Sequence, residues 1–98
     1  MQIKQSAAAG NRVSGDVFVT IDPSSSDRLD IDIESSVMAP FGDAIRNTVQ
    51  EILADFSITA ARVKIVDKGA LDWVIRARMQ TAVCRAAGTD FNWEGEDL

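Results

Sequence analysis

Residues Asp16 to Asp22 and Leu29 to Glu34 alternate strictly between two kinds of side chain. Val17, Val19 and Ile21 oppose Phe18, Thr20 and Asp22, and Leu29, Ile31 and Ile33 oppose Asp30, Asp32 and Glu34. A period of two with many β-branched residues is the signature of a strand. A strand with Asp and Glu on its second face can bury only the first. The fold must therefore hold a sheet with one covered and one wet face. The turn residues Pro23-Ser24-Ser25-Ser26-Asp27 join the two runs. So short a connection predicts an antiparallel hairpin.

Two stretches change period. Phe41, Ile45, Val49, Ile52, Leu53 and Phe56 recur at three- and four-residue spacing, which predicts an amphipathic helix of three to four turns starting near Pro40. A second helix is expected over about 70–87, with Leu71, Val74, Ile75, Met79, Ala82 and Val83 on one side and Gly88 as its stop. Between them Ala60 to Val66 alternates again, with Ala61, Val63 and Ile65 on one face, and Asp67-Lys68-Gly69 reads as a turn. The order is β-β-α-β-α, with an extra N-terminal strand placed around Gln2 to Ser6. The expected class is α+β: a two-layer sandwich, mostly antiparallel, with both helices on one face.

The length of 98 residues fits one domain spanning 1–98. Gly10 and Gly15 predict a flexible loop over about 9–15, and the tail over about 89–98 is expected to be disordered. The N-terminus has no apolar core of signal-peptide length, and no stretch approaches the roughly 20 apolar residues of a membrane helix. The expected location is the cytoplasm.

Composition removes whole classes of chemistry. With no His, the usual neutral-pH base, the Ser-His and Cys-His pairs and the commonest zinc ligand are missing. One Cys allows no internal disulfide and no cysteine metal cluster. A net charge of −5 disfavours nucleic acid, which calls for a basic face.

Several groups remain as candidates. Asp30, Asp32 and Glu34 share a strand face, with Asp22 expected nearby; a solvated acidic face is the simpler reading than a cation site. Cys84 sits beside Arg85 but has no base partner, which makes it structural. Arg62, Lys64, Lys68, Arg76, Arg78 and Arg85 could meet an anion, though balancing of nearby acids explains them as well. Trp73 and Trp93 are either interface anchors or half-buried core. Ser14, before Gly15 and Asp16, is an exposed loop hydroxyl that suits covalent modification and, without His, a poor nucleophile on its own; on composition alone Ser14-Gly15 is simply a turn.

Three stretches together carry a resemblance: Ala9-Gly10 with Ser14-Gly15-Asp16-Val17; Phe41-Gly42-Asp43-Ala44-Ile45-Arg46; and Asp67-Lys68-Gly69-Ala70-Leu71-Asp72, continuing into Ile75-Arg76-Ala77-Arg78 and Arg85-Ala86. The chain resembles, over nearly its whole length, the citrate lyase acyl carrier (gamma subunit) family. The Ser-Gly-Asp piece alone is weak; the Asp67 to Asp72 run at this distance from it is specific. The Ser24 to Ser26 turn and Cys84 depart from the family pattern. The resemblance implies that Ser14 bears a covalent phosphoribosyl dephospho-coenzyme A group (2'-(5''-phosphoribosyl)-3'-dephospho-coenzyme A) through a phosphodiester. It implies a holo-carrier synthase that attaches the group, and citrate lyase alpha and beta subunits as partners. Acetyl and citryl thioesters would ride on that group during cleavage of citrate to acetate and oxaloacetate. No catalytic residue and no metal ligand is expected in this chain. The rivals are the malonate decarboxylase acyl carrier subunit, a citramalate lyase carrier, and a non-enzymatic interaction domain.

Overall fold

The structure is a computed structural model and describes residues 2–35 and 38–88, with side chains of 38–41 left aside. Its elements are β1 (Ala7–Gly10), β2 (Val17–Asp22), β3 (Leu29–Ser35), α1 (Met38–Asp55), β4 (Ala61–Asp67) and α2 (Asp72–Ala87). The two-layer α+β class is as expected: a four-stranded sheet in the order β1-β2-β4-β3, with two of its three pairings antiparallel.

The alternation translates directly into burial. Val17, Val19 and Ile21 are fully buried and meet Ala61, Val63 and Ile65 of β4 on the same face. Ile45, Val49, Ile52 and Leu53 of α1 and Ile75, Met79, Ala82 and Val83 of α2 close the core. α1 lies against β3 and α2; α2 lies against β1 and β2. Gly88 ends α2 in the left-handed region at φ 71°, as its position predicts, and its N–H donates to the Arg85 carbonyl at 3.2 Å. α1 ends differently, on Ser57 at φ 56°, with Ile58 N–H donating to the Leu53 carbonyl at 2.9 Å.

Three expectations are corrected. First, β2 and β3 do not form a hairpin. β4 lies between them, antiparallel to β2 and parallel to β3. β3-α1-β4 is a crossover of the kind that parallel neighbours require. β4 takes the centre because it has apolar surface for both faces at its end: Val66, on the open face, is buried between Phe18 and Glu34. Secondly, the additional strand is Ala7–Gly10 rather than Gln2 to Ser6. The preceding residues leave the sheet, bury Ile3, and donate the Lys4 and Gln5 N–H groups to the Ala86 carbonyl. The loop expected over 9–15 therefore begins after Gly10. Thirdly, α1 is longer than periodicity suggested, at 18 residues or about five turns, and α2 begins at Asp72 rather than Ala70. Thr89 to Leu98, including Trp93 and the expected disorder, lie outside the described residues.

Candidate functional site

The register brings three chain segments to one end of the sheet. Val17, which opens β2, pairs with Asp67, which closes β4, and Ser35, which closes β3, pairs with Asp67 from the other side. The turn carrying Ser14 and the run Asp67 to Asp72 are thus neighbours.

Ser14 occupies the second position of a four-residue turn, Val13 to Asp16, closed by the Asp16 N–H donating to the Val13 carbonyl at 3.1 Å. Gly15 takes φ +84° at the third position, which a type II turn demands. The Asn11 side-chain oxygen accepts the Val13 N–H at 3.0 Å and shapes the approach. At the start of the loop Gly10 is required for a second reason. A Cβ there would stand 1.9 Å from the Val17 carbonyl oxygen, and its φ is +88°. Ser14 is exposed, and its hydroxyl has no hydrogen-bond partner among the described residues. A Cβ on Gly15 would meet nothing within 4 Å, so the space beside the serine is open.

The base of the turn is fastened. Gly15 N–H donates to the Lys68 carbonyl at 2.7 Å, and Lys68 N–H donates to the Asp16 carbonyl at 2.9 Å. The two loops exchange a pair of bonds like one more rung of the β2–β4 ladder. The Asp16 side chain turns inward and is buried. It accepts the Val17 N–H at 2.8 Å and receives Arg78 of α2 with both oxygens, at 2.9 and 3.2 Å. A forked guanidinium–carboxylate pair fixes orientation as well as charge. The hydrogen bond from Arg78 holds the Asp16 carboxyl below its ordinary range, against the upward push of burial.

Each position of the Asp67 to Asp72 run has a local task. Asp67 is 1% exposed and accepts the Ser35 hydroxyl at 2.8 Å and the Ala70 and Gly69 N–H groups at 2.9 and 3.2 Å. Lys68 supplies the two backbone bonds to the serine turn. Gly69 bends the chain at φ +87°. Asp72 opens α2, favourable to the helix dipole, and accepts Thr48 of α1 and Arg76, both at 2.6 Å. These two hydrogen bonds, Thr48 first, lower its carboxyl below the ordinary range. Arg76 also reaches Glu51 at 3.1 Å.

The other candidates are distributed elsewhere. Arg62 of β4 stands between Asp22 and Asp30, and Lys64 between Thr20 and Asp32. Asp22 is therefore not across from the acids of β3, and the acidic face is interleaved with cations. No group of three or more potential metal ligands occurs among the described residues. Cys84 is buried. The basic residues do not converge: Arg76 and Arg78 are paired with acids, Arg85 donates to the Ala8 carbonyl at 2.8 Å, and Arg62 and Lys64 lie on the open face. Trp73 is 68% exposed and so is not core. Sequence reasoning singled out Ser14 and did not see the half-buried Asp16–Arg78 pair. Its 62-residue separation leaves no local signal.

The small α+β sheet thus presents, among the described residues, an exposed serine on a fastened turn. A family profile described as "Malonate decarboxylase delta subunit (MdcD)", of the ACP family, matches residues 4–86. The chain belongs to this acyl carrier family. Membership implies a covalently attached prosthetic group and partner enzyme subunits. Among curated relatives, the citrate lyase acyl carrier protein of Haemophilus influenzae (strain PittEE) is 50% identical over 94 residues, covering 96% of this chain and 97% of the relative. The citrate lyase acyl carrier protein of Streptococcus pyogenes serotype M18 is 44% identical over 98 residues, covering 99% and 96%. A chain of a Pseudomonas malonate decarboxylase hetero-tetramer crystallised with malonate has the same fold, with a TM-score of 0.74 over 86% of each chain at 23% identity. No helix among the described residues is long and apolar enough to cross a membrane.

Proposed function

We propose that this chain is the acyl carrier subunit of citrate lyase and that Ser14 is its attachment point. The observation that carries the proposal is the contrast within one turn: a hydroxyl that is exposed and without a partner among the described residues, on a base held by backbone bonds and a half-buried ion pair. Near-full-length likeness to two citrate lyase acyl carrier proteins supports the choice of complex.

The residues present fit a phosphodiester-linked phosphoribosyl dephospho-coenzyme A group. Such a link needs an accessible hydroxyl and room for a phosphate beside it, and both exist at Ser14 and Gly15. When bound, the group supplies the terminal thiol at which acyl units are held. The chain's own contribution is mechanical. Gly15 gives the turn its shape, Asp16 anchors it, and the Ser14 Oγ projects where a holo-carrier synthase can reach it. A serine without a basic neighbour does not activate itself, so the attaching enzyme must supply the base. A long arm on a fixed base lets one acyl unit meet successive active sites at high effective concentration. The partners are then the alpha and beta subunits, in the cytoplasm.

A second reading, the carrier subunit of malonate decarboxylase, is favoured by the family profile's description and by the Pseudomonas neighbour. The Asp67 to Asp72 run and the higher-identity relatives favour citrate lyase. Reconstitution decides. The loaded chain should restore citrate cleavage to alpha and beta subunits, and Ser14→Ala should restore none while melting within a few degrees of wild type. Full activity from the Ser14→Ala complex contradicts the attachment point. Activity with malonate decarboxylase subunits alone selects the second reading.

A further inference from the structure

We infer that Arg78 and Asp16 are positioning residues for the modification of Ser14: they hold the turn in the one conformation that the attaching enzyme recognises. The inference rests on the carrier reading and assigns work to a pair 62 residues apart whose side chains bond to each other and to the Val17 N–H and not to the serine hydroxyl.

The geometry leads there in three steps. Asp16 is the only residue of the Val13 to Asp16 turn that is buried; Val13, Ser14 and Gly15 are all exposed. A turn of exposed residues has little packing to hold it and, left alone, samples several conformations. Asp16 also carries more of the turn's restraints than any other residue in it, beside the Gly15 bond to Lys68 and the Val13 bond to Asn11. Its N–H closes the turn on Val13, its carbonyl takes Lys68, and its carboxylate takes Val17 and Arg78. Finally, Arg78 supports both legs of the loop, because its Cδ lies 3.2 Å from where a Cβ on Gly10 would stand while its guanidinium grips Asp16. One α2 side chain thus fixes the end of β1 and the start of β2, and the serine is carried between them. Removing Arg78 leaves a buried carboxylate without its charged partner. That carboxylate then gains by moving to water, which pulls the turn off the Lys68 rung.

An attaching enzyme that binds only the held conformation would see its affinity fall by the fraction of chains still holding it. The effect therefore belongs in KM. Once the loop is bound, the Ser14 hydroxyl is unchanged and kcat should survive. A residue important only for overall stability would lower the melting temperature and leave both constants alone at temperatures below it.

The experiment uses full-length unmodified protein, purified holo-carrier synthase and its coenzyme-A-derived donor, with initial rates read by intact mass. Arg78→Met and Asp16→Asn should each raise KM for the carrier about tenfold, corresponding to a held fraction of roughly one in ten, with kcat within about twofold. Arg78→Lys, which keeps the charge without the fork, should recover part of the loss. The double variant should be no worse than the worse single one, because both remove the same interaction. Independently of any enzyme, brief trypsin treatment of the folded proteins should cut the Arg12–Val13 bond several-fold faster in Arg78→Met than in wild type. Wild-type kinetic constants in folded Arg78→Met and Asp16→Asn, or unchanged cleavage after Arg12, would overturn the inference while leaving the carrier reading intact. If wild type itself takes no group on Ser14, it is the carrier reading that fails.

Discussion

The serine-bearing turns at 23–28 and 11–16 are built in opposite ways. The turn at 23–28 holds Ser24, Ser25 and Ser26 and bonds mainly to itself: the Ser26 N–H and hydroxyl both meet the Ser24 oxygen, at 3.2 and 3.1 Å. Its tie to the sheet is the Ala61 N–H donating to the Arg28 carbonyl, at the very end. The turn at 11–16 holds one serine and is fixed to β4, to α2 and to its own legs. Exposure alone does not separate these serines. What separates them is that the turn of Ser14 is bonded to its surroundings while the Ser14 hydroxyl has no partner among the described residues. A carrier needs that combination, because the group is long and mobile while its point of attachment must be recognised.

The comparison can be broken most severely at the glycines. Gly10→Ala forces a Cβ into the Val17 carbonyl, which is backbone and cannot swing aside as a side chain would, at a φ that L-residues avoid. A loss of roughly 3 kcal/mol or more is expected. For a chain of this length that corresponds to a fall of about 12 °C or more in melting temperature. Gly15→Ala meets the same φ penalty in open space and should lose only about 1–2 kcal/mol. Thermal melts of the two variants check the order. Equal losses would mean that the close approach at Gly10 is relieved by movement of the loop, and that the loop is not held.

A gentler test uses acid. Asp16 and Asp72 both have carboxyl pKa values lowered by folding. A lowered folded value contributes stability that is fully present above the unfolded pKa, about 3.9, and is lost as pH falls through the folded value. Urea midpoints should therefore be flat from pH 7 to about pH 5 and fall below about pH 4. Asp16→Asn, with no proton to take up there, should show a shallower acid limb. Parallel curves for the two proteins would show that Asp16 is not held by Arg78 in solution.

Much of this was legible in the chain, and the limits have physical causes. Alternation and helical spacing report which face of an element meets the core. They placed β2, β3, β4 and both helices, because burial depends on local period. They do not report which strands are neighbours. The pairing of β3 with β4 rather than β2 depends on α1 carrying the chain back across the sheet, which no window of residues 17–34 contains. β1 was expected too early, around Gln2 to Ser6, because Ala7-Ala8-Ala9-Gly10 has neither β-branched residues nor alternation; pairing with β2 and the Arg85 hydrogen bond to the Ala8 carbonyl hold it instead. Ser14 was singled out from its neighbours in the chain. Asp16 and Arg78 could be seen only as members of separate stretches, and that they meet is a property of the fold. The Asp67 to Asp72 run was recognisable as a pattern before its reason was visible: it staples the end of β4, braces the serine turn and starts α2.

The central claim is that the group is carried on Ser14 and not on the other exposed turn. Mass spectrometry of the protein from its native host tests this most directly. Trypsin should release Val13 to Arg28, a peptide that holds Ser14 together with Ser24, Ser25 and Ser26, and fragmentation within it assigns the site. The account predicts a single phosphoribosyl dephospho-coenzyme A adduct on Ser14, with the other three serines bare. An adduct on Ser24, Ser25 or Ser26, or an unmodified peptide after treatment with holo-carrier synthase and its donor, would contradict it.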